Sequence, residues 1–277
     1  MADVTLRAAL FNGEYEAFGA LTGQKPEEVA QEAADGELRD VWLAWDGPRL
    51  VGAVKPWLRP DGKYTLYFER CEPAAYPVLV AQAQGECYTM ADGADTAALD
   101  QFSALGFLPH RSELRYLIPV SLLSAATPPG LRIISATEVG LEPLMALDCA
   151  LREDVPGSAG WQPDPVWFRQ ETFDSPFFDP EAYLVAVDGA AYVGLVRIWN
   201  GPNPLPRLGM IAVLPAYRRR GLARALIGQA FTALHARGVP EVTAEVDATN
   251  TASNTLMAGL GGTVTGSDVE LRRPADE

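Results

Sequence analysis

The chain is poor in the residues that build metal sites and disulfide frameworks. Three cysteines (Cys71, Cys87, Cys149) and two histidines (His110, His235) are spread over 277 residues. An odd, widely spaced cysteine set does not suit a disulfide scaffold and points to reduced thiols in a cytoplasmic protein. The two histidines offer no metal cluster, so no metal is expected. No apolar run reaches the roughly 18 residues of a membrane span, and the first residues lack a basic stretch followed by an apolar core. Neither membrane attachment nor a signal peptide is therefore expected. Cations are scarce: Lys+Arg total 22 against 36 for Asp+Glu, a formal net charge of -14. That balance argues against a nucleic-acid partner, because phosphate contacts need a basic face. It suits a cationic small substrate, and solubility explains it equally well.

What is present describes a globular chain, 48% hydrophobic and long enough for two ordinary domains. Strand-like runs fall at 4–10, 41–45, 50–54, 64–68, 86–90 and 114–118, with helices over 14–34, 74–84 and 96–105. Turn chemistry separates them at Asp46-Gly47-Pro48 and Pro60-Asp61-Gly62. Residues 121–130, ending Pro128-Pro129-Gly130, read as a linker. The order then repeats: a strand at 131–134, a helix over 136–151, strands at 182–187, 192–199 and 207–213. A helix with apolar Ala223, Leu226, Ile227, Ala230 and Leu234 follows, the spacing of one buried face, and ends at Gly238. A strand at 241–247, a helix at 250–259 and a strand at 269–272 complete the pattern.

The two halves align without a gap over Leu43–Val54 and Val185–Val196, and again over the residues leading to Gly106 and to Gly261. Between these anchors the second half is longer, and the difference falls around 211–224. Four arginines (Arg218, Arg219, Arg220, Arg224) lie there within seven residues of an acidic chain, with Gly221 opening a helix. Orphan N–H groups and the helix dipole make such a start a place for a poly-anion. Gly221 lets the backbone approach closely, small Ala223 leaves room, and arginine forks can hold phosphate oxygens. The first half has Glu69-Arg70-Cys71-Glu72-Pro73 instead, with no glycine and mixed charge.

Val213-Leu-Pro-Ala-Tyr-Arg218-Arg-Arg-Gly221-Leu222-Ala223 resembles the acyl-CoA loop of the Gcn5-related N-acetyltransferases. Asn250-x-x-Ser253-x-x-Leu256-Met257-x-x-x-Gly261 resembles that family's second signature. The motifs cover about 131–274, while 1–120 is similar in architecture only. The resemblance implies an α/β (α+β) fold of two tandem acetyltransferase-like domains, each a mixed, mostly antiparallel sheet flanked by helices. The expected divisions are 1–120 without the CoA loop, a linker at 121–130, and an acyl-CoA-binding domain at 131–277. It further implies acetyl-CoA in a V-shaped gap between strands 207–213 and 241–247. Its arm would bond to the backbone of Ile211, Ala212 and Val213 and face Asn250, and its phosphates would meet Arg218–Arg224.

Direct transfer to a small-molecule amine needs a base, an acid and an oxyanion donor. Glu245 stands five residues before Asn250, where some family members carry a general base, and the Val213 backbone N–H is the expected oxyanion donor. Met257 occupies the position where the family commonly has an acidic tyrosine, so the general acid is unassigned; Tyr217, Tyr183 and Tyr192 are the substitutes on offer. Gly262 in place of the usual aromatic is expected to open the pocket floor. The aromatics and acids of 153–181 are expected to cover a cationic amine. The competing reading is a non-catalytic acyl-CoA-binding or sensor protein.

Overall fold

The computed structural model describes residues 4–275 other than 8, 9, 11, 35, 37, 39, 202 and 203. The chain divides into two compact units: Met1–Ser112 with Asp268–Glu277, and Glu113–Ser267.

Unit 1 contains β1 (Val4–Arg7), α1 (Tyr15–Thr22), α2 (Pro26–Ala34), β2 (Trp42–Asp46), β3 (Arg49–Leu58), β4 (Tyr64–Phe68), α3 (Ala75–Val80), β5 (Cys87–Asp92) and α4 (Thr96–Ala104). The helix expected over 14–34 is two helices. Gly23 adopts a left-handed φ of 84° and donates its N–H to Gly19 O, and Pro26 starts α2. The strand expected at 4–10 ends at Arg7, and positions 8 and 9 lie outside the described residues. The strands run in the order β1-β2-β3-β4-β5, antiparallel except for parallel β4 and β5.

Unit 2 contains β7 (Leu131–Ser135), α5 (Leu141–Arg152), α6 (Pro165–Gln170), β8 (Tyr183–Asp188), β9 (Ala191–Trp199), β10 (Arg207–Val213), α7 (Leu222–Ala236), β11 (Glu241–Asp247) and α8 (Thr251–Gly259). The helix expected over 136–151 is interrupted. Ser135 and Glu138 form a capping box around a short 3-10 turn, and α5 begins only after Gly140. The sheet order is β7-β8-β9-β10-β11, antiparallel except for β10 and β11. One face packs Leu184, Val196 and Ile198 against Leu226, Ile227 and Phe231 of α7. The other packs Tyr183, Leu195 and Met210 against Leu144 and Leu147 of α5 and Phe168 of α6.

Two long strands set the unit boundaries away from the linker. The strand expected at 114–118 is part of β6 (Leu108–Pro119), whose residues from Glu113 onward pair antiparallel with β11, Glu113 opposite Asp247 and Pro119 opposite Glu241. The strand expected at 269–272 is part of β12 (Thr263–Arg273), whose residues from Asp268 onward pair antiparallel with β5. Residues 113–130 therefore belong to unit 2 and 268–277 to unit 1. Leu271 is buried in the unit 1 core, Glu270 is ion-paired to Arg111 at 2.9 Å, and Arg272 to Glu86 at 2.9 Å.

Ending the chain after Ser267 removes the strand that covers β5. The expected result is faster amide exchange by orders of magnitude at 87–92, with exchange at 241–247 much less affected, read by mass spectrometry. Glu86, bonded by Lys63 and Tyr88 and paired with Arg272, is held down at about 2. A depressed carboxylate stabilises the fold above its unfolded value and stops doing so as pH falls through about 2. Glu86→Gln is expected to cost about 1–2 kcal/mol near neutral pH. That penalty shrinks below pH 5 and is gone at the acid end, as measured by urea denaturation across pH.

Candidate functional site

The site of unit 2 is organised by a separation of strands. β10 bonds fully to β9, but its register shifts between Leu208 and Met210, a bulge at Gly209. Trp199 lies close against that glycine: a Cβ there would fall 2.9 Å from the indole. β10 meets β11 in register only at Arg207 and Thr243, where Thr243 N–H donates to Pro206 O at 2.9 Å. Beyond that pair the two strands diverge. In unit 1 the corresponding parallel strands, β4 and β5, stay paired over three positions, and buried Thr89 Oγ1 donates to Leu66 O at 2.8 Å across them. The gap is open in one unit and closed in the other.

Backbone groups of β10 line the opening. Leu214 N–H donates to Val193 O on β9. Successive strand residues alternate, so the N–H groups of Val213 and Ile211 point the other way, into the gap. Ala212 faces β9, where Gly194 admits it closely: a Cβ on Gly194 would sit 2.9 Å from Ala212 O.

The chain leaves β10 through a 3-10 turn at Pro215–Tyr217 and enters α7 through two left-handed residues, Arg219 (φ 59°) and Gly221 (φ 81°). Gly221 is the N-cap and contributes no side-chain cap, so the first-turn N–H groups of Leu222, Ala223 and Arg224 remain for an external acceptor. The helix ends as expected: Gly238 takes φ 75° and donates its N–H to His235 O, while Val239 N–H donates to Leu234 O.

The four arginines divide. Arg218 folds back, donating Nε to Val213 O at 2.8 Å and pairing with Asp154. Arg224 donates Nη1 to Gly259 O at 3.2 Å, tying α7 to the end of α8. Arg219 and Arg220 are exposed beside the helix start and form no ion pair among the described residues, Arg220 lying 5.5 Å over the Tyr217 ring. Asn250 is the N-cap of α8 and accepts the Ser253 N–H at 3.1 Å, which leaves its amide NH2 for other partners.

Glu245 stands on β11 at the divergence, and Arg207 Nε donates to its Oε2 at 2.6 Å. Sequence reasoning missed this arginine, which lies 38 residues away in the chain. The proposed acid substitutes are held elsewhere. Tyr217 donates its hydroxyl to Asp188 at 2.9 Å, an interaction that raises the phenol above its ordinary value. Tyr183 is 2% exposed, and burial pushes it up to about 12. Tyr192 packs at the edge of the α5 and α6 core, and Met257 is buried in the α7 core. Gly262 opens no floor: a Cβ would fall 2.8 Å from Met257 O and 3.1 Å from Ile118.

Four of the acids of 153–181 serve the fold. Asp164 caps α6, Asp174 pairs with Arg169, Asp179 with Arg237, and Asp154 with Arg218. Their clustering with aromatics in the sequence does not create a free acidic wall. No group of residues with metal-holding geometry occurs among the described residues, and no helix there is long and apolar enough to cross a membrane.

Two repeated α/β units, one with an open strand gap ending in a basic helix start, define a tandem acetyltransferase-like fold. Residues 147–261 match the model of the Acetyltransferase (GNAT) family. Mycothiol acetyltransferase of Thermobispora bispora is 30% identical over 138 residues, covering 48% of this chain and 46% of that protein. The Catenulispora acidiphila protein of the same name is 32% identical over 100 residues, covering 34% and 32%. The matches thus span less than half of each relative. A GCN5-related N-acetyltransferase from Sphaerobacter thermophilus superposes with TM-score 0.71 at 18% identity, covering 99% of this chain and 97% of that one. A tandem GNAT protein from the clavulanic acid biosynthesis pathway gives 0.69 at 15%, covering 99% of both. At these identities the two structures speak for the fold alone.

Gly194→Ala drives a methyl into the Ala212 carbonyl. It is expected to destabilise the protein by about 1–3 kcal/mol, measured by denaturant unfolding.

Proposed function

We propose that unit 2 transfers an acetyl group from acetyl-CoA directly to the amine of a small molecule. The observation that carries this is the divergence of β10 from β11 beside a helix start with free N–H groups. The residues present fit the co-substrate. Ile211 and the N–H of Val213 offer backbone groups without a strand partner to the pantetheine amides, as an added strand would. The N-terminus of α7, with Arg219 and Arg220, suits the pyrophosphate. Arg218 and Arg224 act indirectly, shaping the loop and fixing α7.

Acetyl-CoA supplies an activated acyl group with a thiolate leaving group, and the chain's own residues position and deprotonate the amine. Glu245 would take the proton, directly or through a water, and Arg207 fixes the orientation of its carboxylate. The Val213 N–H, aimed into the gap, would stabilise the developing oxyanion. Unit 1, with β4 and β5 zipped, has a supporting role and binds no CoA. The protein works in the cytoplasm without a metal.

A non-catalytic acyl-CoA binder is the second reading, favoured by the burial of Met257 and the Arg207–Glu245 ion pair. Thiol release from acetyl-CoA across an amine panel separates the two. For the enzyme, Glu245→Gln should lower kcat by roughly 100-fold or more with acetyl-CoA affinity unchanged. No thiol release with any amine at high protein concentration would leave the binder. Arg219→Ala with Arg220→Ala should weaken acetyl-CoA binding by at least about tenfold by calorimetry under either reading. Unchanged affinity would remove the pyrophosphate from this loop.

A further inference from the structure

The face of unit 2 beneath α5 and α6 holds a cation that the proposed transfer leaves without a task. Arg197 on β9 lies between Tyr183 on β8 and Met210 on β10. Its guanidinium is 4.2 Å over the Trp199 ring and 5.8 Å from the Tyr183 ring. Arg197 Nε and the Tyr183 hydroxyl are both buried with no hydrogen-bond partner among the described residues.

Asp148 and the Tyr183 hydroxyl act on it electrostatically, but neither forms an ion pair with it. Asp148 is taken by Arg152, and Glu245 by Arg207. Three arginines thus share two carboxylates, and Arg197 is the one that forms no ion pair among the described residues. Burial lowers its affinity for a proton; Tyr183 and Asp148 partly offset this, and Arg152 and Arg207 add to it. A buried guanidinium without a counter-ion weakens a fold, and an apolar residue of similar volume would serve packing better. Its location makes it useful to a ligand. Glu245, Arg207, Trp199 and Arg197 form a row running from the strand divergence across β10 to β9: Arg207 pairs with Glu245 and lies 5.6 Å from the Trp199 ring, and Arg197 lies 4.2 Å from the same ring. Glu245 and Arg197 stand on strands with β10 between them, and the parting of β10 from β11 widens that span beyond the ordinary strand spacing.

We infer that the acceptor is an amino carboxylate, with its amine toward Glu245 and its carboxylate in the guanidinium fork of Arg197 beside Trp199. This rests on the acetyl-transfer reading and adds the chemical class of the acceptor. A planar carboxylate can take two parallel N–H bonds from the fork, which the neutral amide of the same compound cannot match.

The experiment uses the full chain with acetyl-CoA and a panel of amino carboxylates of graded amine-to-carboxylate separation, each beside its primary amide. Thiol release and calorimetric binding are both read. At least one carboxylate should exceed its amide about tenfold or more in kcat/KM or affinity. Arg197→Met and Arg197→Lys should each erase that preference while acetyl-CoA affinity holds. The thermal midpoint of Arg197→Met should not fall, since a buried unpaired charge is removed; if it nevertheless fails to fold, Arg197→Lys decides. Carboxylate binding through Arg197 without any thiol release would keep the inference and sink the transfer reading. Equal behaviour of carboxylates and amides across the whole panel, in both readouts, overturns it, as does a preference that survives both substitutions.

Discussion

The parting of β10 from β11 is the constraint on which unit 2 depends. Parallel neighbours normally continue to bond, and here one bulge, at Gly209 under Trp199, ends the ladder after a single pair. Everything functional follows from that interruption. Backbone groups of Ile211 and Val213 lose their strand partner, Glu245 stands at the opening with Arg207 on its carboxylate, and the chain reaches α7 at the far end of the gap. Unit 1 provides the internal control. Its parallel pair continues, a threonine hydroxyl bridges the strands, and no helix with a free basic start follows.

Arginine is used in this protein for two opposed purposes. Arg218 and Arg224 are structural, one holding a carbonyl of β10 and the other the last turn of α8. Arg219 and Arg220 are held outward by the same turn, Arg219 at a left-handed φ that costs an L residue about 1–2 kcal/mol. A cluster that looks uniform in the sequence is therefore two pairs with different jobs. The split arises because Asp154 and Gly259 come from elsewhere in the chain.

Features that depend on neighbours in sequence were legible: the basic helix start, the buried stripe of α7, the Gly238 cap and the duplication itself. Features that depend on distant partners were not. Arg207 neutralises Glu245 from 38 residues away. The carboxylates of 153–181 look free in sequence, but caps and ion pairs occupy several of them. The exchanged strands were the hardest to foresee, because an alternating strand carries the same pattern whichever sheet it joins. Residues 114–118 and 269–272 were readable as strands, and nothing in their composition names a partner.

That exchange has a consequence for how the protein is made. Unit 1 begins first along the chain, yet the strand that completes its sheet, Asp268–Arg273, follows the whole of unit 2. Unit 2 needs only residues up to Ser267 and can close as soon as β11, α8 and the start of β12 have emerged. During translation the edge of β5 waits uncovered while the 175 residues of 93–267 are added, so the unit with the closed gap matures after the other. Order of synthesis and order of completion run in opposite directions along this polypeptide.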